Sequence, residues 1–213
     1  MRPLPLNIAN DPLTRVPAPA ALTKRPRNRE ATIRAVLESA QRLFTTKGFD
    51  RTSLVDIAAE TGLSPRGVIL HFSSKADIAA ELLLRDMNAR THSYREDGVA
   101  RDATGRIHAF FGWLAEGDRR MFINFPALWA FAARWSERLE TTVEQAAEEL
   151  LAPVRHALEG GIERGELRRV DVRVACEMLW TTYLSGLRRA AIHGGKPADA
   201  LPQVAQVLAL LKA

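Results

Sequence analysis

The sequence predicts an all-α protein, with an N-terminal helix-turn-helix domain of three helices joined to a larger C-terminal helical bundle. Three observations predict it. Apolar residues recur at helical spacing along most of the 213 residues. Glycine and proline fall where such helices would have to end or begin. No stretch alternates apolar and polar residues as a half-buried strand would, and no segment repeats. Hydrophobic residues make up 46% of the chain, enough to build a core and too many for a disordered one.

Residues 1–23 hold Pro3, Pro5, Pro12, Pro17 and Pro19 with no helical period, and read as a flexible arm. Lys24, Arg25, Arg27 and Arg29 form a basic cluster behind it. The first helix is predicted from about Asn28 to Thr46, because Ile33, Val36, Leu37, Ala40, Leu43 and Phe44 share one face. Gly48 can close it in the left-handed conformation. Ser53-Leu54-Val55-Asp56 fits a capping box opening a short second helix, with Thr52 as a competing cap, and Gly62 ends it after about two turns. Ser64 is the next N-cap and Pro65 the first helical residue of a third helix, predicted to run to about Phe72. Ser74-Lys75-Ala76-Asp77 then opens a fourth, through Met87 to about Arg90.

Beyond Arg90 the pattern stays helical, with predicted spans 103–115, 119–136, 138–164, 171–192 and 199–212. Pro126 and Pro153 fall inside two of these and are expected to kink or split them. The domains are therefore drawn as an arm at 1–23, a helix-turn-helix domain at 24–75 and a helical domain at 76–213.

Two short helices joined by a tight glycine-containing turn make a helix-turn-helix, in which the first helix braces the second and the second enters the major groove of DNA. With the third helix starting at Pro65, Val68 and Phe72 point inward and Arg66, Gly67, Leu70 and His71 are left on or near the outer face. The start of that helix also aims free N–H groups toward phosphate. Charge is compatible with this. Residues 1–75 carry a net +6 and residues 76–213 a net −1. A basic third fits an anionic polymer as a partner, and by itself fits a solubilising head equally well.

The stretch TSLVDIAAETGLSPRGVILHFSSKADI, preceded by AQRLFTTKGF, resembles the DNA-binding region of the TetR family of transcriptional regulators over about residues 29–82. The segment GGIERGELRRVDVRVACEMLWTTYLSGL resembles the C-terminal part of many such regulators, with weaker motifs. The resemblance implies phosphate contacts from Thr52 and Ser53, base reading by Arg66 and Gly67, and backbone or base-edge contacts from His71 and Lys75. It also exposes a departure. The family's usual tyrosine two residues before the His71 position is Ile69 here, and the adjacent Leu70 is placed to meet a thymine methyl. Arg66 also reads as an ordinary solvated arginine. The motif favours a fork onto guanine. Lys75 at a helix start opposes the helix dipole, which favours a phosphate partner. Gly67 is costly within a helix, for which close approach to DNA is a motive. Arg29 and the basic residues before it suggest a phosphate or minor-groove arm.

Eight of the fourteen aromatic residues crowd into 110–135, where a packed core is the simplest reading. The family resemblance implies an effector pocket instead, walled by Phe110, Trp113, Phe125, Trp129 and Trp180, with Asn124, His108 or Tyr183 as polar anchors. The last two helices are apolar on more than one face. One carries Val174, Met178, Leu179, Tyr183, Gly186 and Leu187. The other carries Leu201, Val204, Leu208 and Leu211, with Val207 and Leu210 off that stripe. Two buried faces suggest a subunit interface. The resemblance implies a homodimer built from these two helices, a palindromic double-stranded operator, repression, and release by a small-molecule effector. The alternative is a regulator with no such ligand, governed by a protein partner or by abundance, which nothing in the sequence excludes.

Enzyme chemistry finds little support. The five histidines never fall at i, i+3 or i+4, so no helical metal pair exists. Cys176 lies on an apolar face, no phosphate loop follows a strand, and Glu144, Glu148 and Glu149 read as a solvated face. No catalytic residue, metal or cofactor is expected. One cysteine, no apolar run near the ~20 residues a bilayer requires, and a proline-rich N-terminus unlike a signal peptide lead us to expect a cytoplasmic protein with no membrane partner.

Overall fold

The computed structural model describes residues 29–96, 102–117 and 137–213. Among them the only extended pairing is a single antiparallel bridge, Leu167 with Lys212; the rest is helix and connection. We label the helices α1 (Arg29–Thr46), α2 (Leu54–Thr61), α3 (Pro65–Ile69), α4 (Lys75–Ser93), α5 (Ala103–Gly117), α6 (Glu137–Leu150), α7 (Ala152–Glu163), α8 (Val172–Ile192) and α9 (Leu201–Leu211). A 3₁₀ turn, Pro197–Ala200, precedes α9. None of these helices is long and apolar enough to cross a membrane.

Two hydrophobic cores form among the described residues. The first gathers Val36, Leu37, Ala40 and Phe44 of α1 with Phe49, Ile57, Ala58, Val68 and Phe72, and closes with Ile78 and Ala79 of α4. The second takes Leu84 and Met87 of α4, then Ile107, Phe110, Phe111 and Leu114 of α5, Leu150 of α6, Val154 and Leu158 of α7, Leu179 and Tyr183 of α8, and Val204 and Leu208 of α9. One 19-residue helix, α4, thus contributes to both cores. Its far end is pinned to α5: Arg90 is buried, pairs with Asp86 at 2.5 Å and donates from Nη1 to the Leu114 carbonyl at 3.1 Å.

Local chemistry sets the boundaries. Ser53 Oγ accepts from the Asp56 amide while the Asp56 carboxylate accepts from the Ser53 amide, the reciprocal cap expected for α2. Gly62 ends α2 at φ +66°, where a side chain would be strained. The third helix stops at Ile69 rather than near Phe72, because the amides of His71 and Phe72 both turn onto the Val68 carbonyl, at 2.9 and 3.0 Å. The expected 138–164 helix is two helices. Pro153, in the first turn of α7, has no N–H to continue the ladder of α6. The last helix is preceded by the 3₁₀ turn, and the chain end is clasped to residues 166–168 by Arg168 N–H to Leu211 O and Ala213 N–H to Glu166 O. The expected helix at 119–136 lies outside the described residues, as do the arm at 1–23 and Lys24, Arg25 and Arg27.

Candidate nucleic-acid interface

The first core orients α2 and α3. Val68 is fully buried and Phe72 nearly so, which fixes the inward side of α3. The opposite side carries Arg66, Ile69 and Leu70, spaced i, i+3 and i+4 and therefore neighbours on one helical face. Ile69 is 52% exposed and Leu70 78% exposed. Arg66 is exposed and its side chain makes no hydrogen bond or ion pair among the described residues. Ser64 holds the start of α3 by accepting the Gly67 amide on its Oγ at 3.0 Å. His71 is half-buried, with Nδ1 shielded and unpartnered.

The platform beneath is braced by charge. Asp56 accepts from Lys47 Nζ at 2.8 Å, and this bond, then those from Ser53, hold its carboxyl well below the usual range. Glu60 is likewise lowered, by Arg42 first and by Ser39 second, which ties α1 to α2.

Two residues expected at the DNA turn inward. Thr52 is 2% exposed, and its hydroxyl donates to the Gly48 carbonyl at 2.8 Å. It closes the end of α1 and offers no hydroxyl proton to phosphate. Lys75 Nζ donates to the carbonyls of Phe49 at 2.6 Å and Thr52 at 2.8 Å, with Asp50 O at 3.4 Å, and sits 4.3 Å from the Phe49 ring centroid. The charge at the start of α4, expected to favour a phosphate, has acceptors within the protein. They lie in the 49–52 loop rather than on a nucleic acid. Burial lowers the pKa of Lys75, partly countered by Asp50. Ser53 stays exposed, but its hydroxyl donates to Asp56 at 2.7 Å within the capping box. Arg29 is exposed at the first residue of α1.

Comparison with known proteins decides what this platform is. Residues 36–82, which hold all of α2 and α3, match the bacterial regulatory proteins of the tetR family. These residues carry the DNA-binding region of a TetR-family transcription regulator. The chain is 21% identical over 161 residues, 74% of its own length and 78% of the relative's, to the uncharacterized HTH-type transcriptional regulator YfiR of Bacillus subtilis (strain 168). Its fold is similar to that of a TetR transcription regulator from Haloarcula marismortui ATCC 43049, with a TM-score of 0.63 at 17% identity over 86% of this chain and 100% of that one. It is also similar to the transcriptional regulator FadR of Bacillus subtilis, solved in complex with stearoyl-CoA, with a TM-score of 0.61 at 22% identity over 84% of this chain and 97% of that one.

Within this TetR-family frame, Gly67 has a reason internal to the fold. A Cβ there would stand 3.3 Å from Ser64 Oγ and crowd the cap. Of the residues that the resemblance gave to an effector pocket, Asn124, Phe125 and Trp129 lie outside the described residues. Phe110 and Tyr183 are buried and Trp113 and Trp180 half-buried, linked through Phe111 in a run of ring contacts 5–6 Å apart. Tyr94 joins them edge-on to Phe110 and Trp113, and sequence reasoning missed it because it stands alone beyond the end of α4. His108 is exposed and does not join the cluster as an anchor.

Cys176 is buried, and burial raises its thiol to about 11, so it remains a protonated packing group. Among the described residues no group of three His, Cys, Asp or Glu side chains could share a metal. The last two helices carry both buried and exposed apolar residues, with Leu201, Val207 and Leu211 half-buried between them. Leu179, Tyr183, Leu187, Val204 and Leu208 are buried, whereas Val174, Met178 and Leu210 are 43%, 50% and 70% exposed.

Proposed function

We propose that the chain is a homodimeric repressor that binds a palindromic operator and leaves it when a small-molecule effector binds. The observation that carries the reading is the outer face of α3, with Arg66, Ile69 and Leu70 exposed above a helix-turn-helix whose inner side is fully packed. Residues 24–75 supply DNA binding, with Arg66, Gly67, Ile69, Leu70 and His71 toward the major groove and Ser53 and Arg29 toward the backbone. Residues 76–213 supply dimerisation and sensing, and the arm at 1–23 precedes them. The cytoplasm, where operator DNA is found, is the site of action.

The exposed Val174, Met178 and Leu210 support pairing of α8 and α9 with a second copy across a two-fold axis. A dimer holds two α3 faces at a fixed separation, which calls for an inverted repeat. The sharing of α4 between the two cores supports a lever. A ligand that repacks the aromatic cluster around Phe110, Trp113, Trp180 and Tyr183 shifts α5, and the Arg90 contact to Leu114 O carries the shift to α4. Ligand and DNA then weaken each other reciprocally. The stearoyl-CoA bound to Bacillus subtilis FadR supports a sensing role for this fold.

A second reading has its own observation. Phe110 and Tyr183 are 1% and 0% exposed, a cluster already filled by side chains, which favours a regulator without a small-molecule ligand. Selection of duplexes from a random pool by the purified protein tests the main reading. An enriched inverted repeat bound by two chains is expected. Retention of DNA with no enriched motif points to nonspecific binding, and no retention at low salt rejects the proposal.

A further inference from the structure

We propose that Leu70 and Ile69 read the 5-methyl group of thymine, so that each half-site places a thymine within about two base-pair steps of the guanine read by Arg66. This rests on the operator-binding reading above and names the base chemistry of that site.

The recognition face offers few hydrogen bonds. Ser64 Oγ is occupied by the Gly67 amide, and His71 is half-buried. Arg66 is left as its long free donor. The remainder is apolar, and Leu70 is the most exposed large hydrophobic side chain among the described residues, at 78%, with Ile69 beside it at 52%. The backbone fixes this arrangement. The Leu70 amide donates to the Arg66 carbonyl at 3.1 Å, so the two residues stand one turn apart on the same ridge, while Val68 and Phe72 anchor the other side.

A helix-turn-helix carries this ridge into the major groove, where each base pair shows donors and acceptors and only thymine shows a methyl. Four helical residues span about 6 Å, close to two steps of about 3.4 Å along DNA. A guanidinium fork on guanine O6 and N7 therefore leaves Leu70 over the edge of a base pair one or two steps away. A cytosine there would present C5–H in place of the methyl and an amino donor that the leucine cannot accept. Ile69 in place of a family tyrosine removes a hydroxyl from this patch and extends the apolar surface.

The test uses the full-length protein and the duplex that it selects. Each thymine of the half-site is replaced, symmetrically and one position at a time, by deoxyuridine, which deletes the methyl and keeps every hydrogen bond. Affinity is read by fluorescence anisotropy at one salt concentration for wild type, Leu70→Ala and Ile69→Ala. Both side chains are exposed, and unchanged thermal melts and unchanged helical content verify that the variants are folded. At one thymine near the Arg66-dependent guanine, wild type is expected to lose about fourfold per methyl, roughly fifteenfold for the symmetric pair. Leu70→Ala, Ile69→Ala or both are expected to lose little further there. Indifference of wild type to deoxyuridine at every position overturns the inference and leaves the operator reading intact. So does a deoxyuridine effect that persists undiminished in both variants. Failure to enrich any duplex overturns both.

Discussion

Replacing Lys75 by methionine removes an ammonium and keeps the apolar stem, and it separates two roles for this residue. In the structure Nζ holds the Phe49 and Thr52 carbonyls at 2.6 and 2.8 Å and lies 4.3 Å from the Phe49 ring centroid. A charge-assisted hydrogen bond contributes about 1.5–3 kcal/mol, and the cation–π contact adds about 0.5–1 kcal/mol. Water reaches a half-buried ammonium, so the net loss is about 2–3 kcal/mol rather than the sum. For a chain of this size the midpoint of thermal unfolding should fall by roughly 5–10 °C. Differential scanning calorimetry reads that shift. Binding to the selected duplex across a salt series, well below the variant's midpoint, reads the other role. The slope of log affinity against log salt should match wild type, because the ammonium braces the 49–52 loop and neutralises no phosphate. An unchanged midpoint with a slope shallower by about 0.9 per half-site, roughly 1.8 for the dimer, would refute the reasoning and return Lys75 to the DNA.

Other perturbations follow from the same geometry. Gly186→Ala places a Cβ 2.7 Å from Ala200 Cβ and 2.8 Å from Ala200 Cα, where α8 meets the 3₁₀ turn. Overpacking of about 1–3 kcal/mol should outweigh the better helix propensity, about 1 kcal/mol, and lower the thermal midpoint. Met178→Lys with Leu210→Glu puts charge on the exposed faces of α8 and α9, and sedimentation should find monomer at concentrations where wild type is dimeric, with helical content unchanged. Asp56 is held below its ordinary 3.8 chiefly by Lys47. Stabilisation from a depressed carboxyl is fully present above the ordinary value and is lost as pH falls through the folded one. Lys47→Met should therefore destabilise the protein at neutral pH in urea titrations, and the difference should vanish as pH drops below the carboxylate range.

Much of the N-terminal architecture was legible because its signals are local. The Ser53 and Ser64 caps, Pro65 at the start of α3 and Gly62 at φ +66° each act within a few residues of where they stand. Arg66 and Leu70 fell on the outer face by counting from a correctly placed helix start. What the sequence hid was tertiary. The Lys75 ammonium finds its acceptors 23–26 residues upstream, across a loop whose path no periodicity reveals. Glu166 accepts the Ala103 amide at 2.7 Å and caps α5 from 63 residues away. Thr52 competes locally with Ser53 as a cap for α2, and its burial under the end of α1 decides the contest. The early end of α3 has the same character, since the chain must turn for Phe72 to reach the core.

The central claim is that the exposed ridge of α3 reads DNA sequence. The most direct measurement is the ratio of affinities for the selected duplex and a scrambled one, at fixed salt, for wild type and Arg66→Ala. A guanidinium forked on guanine should contribute about 1–3 kcal/mol of discrimination per half-site, so the ratio should fall by roughly tenfold or more, with thermal stability unchanged. A ratio unaltered by loss of Arg66, with binding to both duplexes reduced equally, would place the residue on the phosphate backbone and contradict the account.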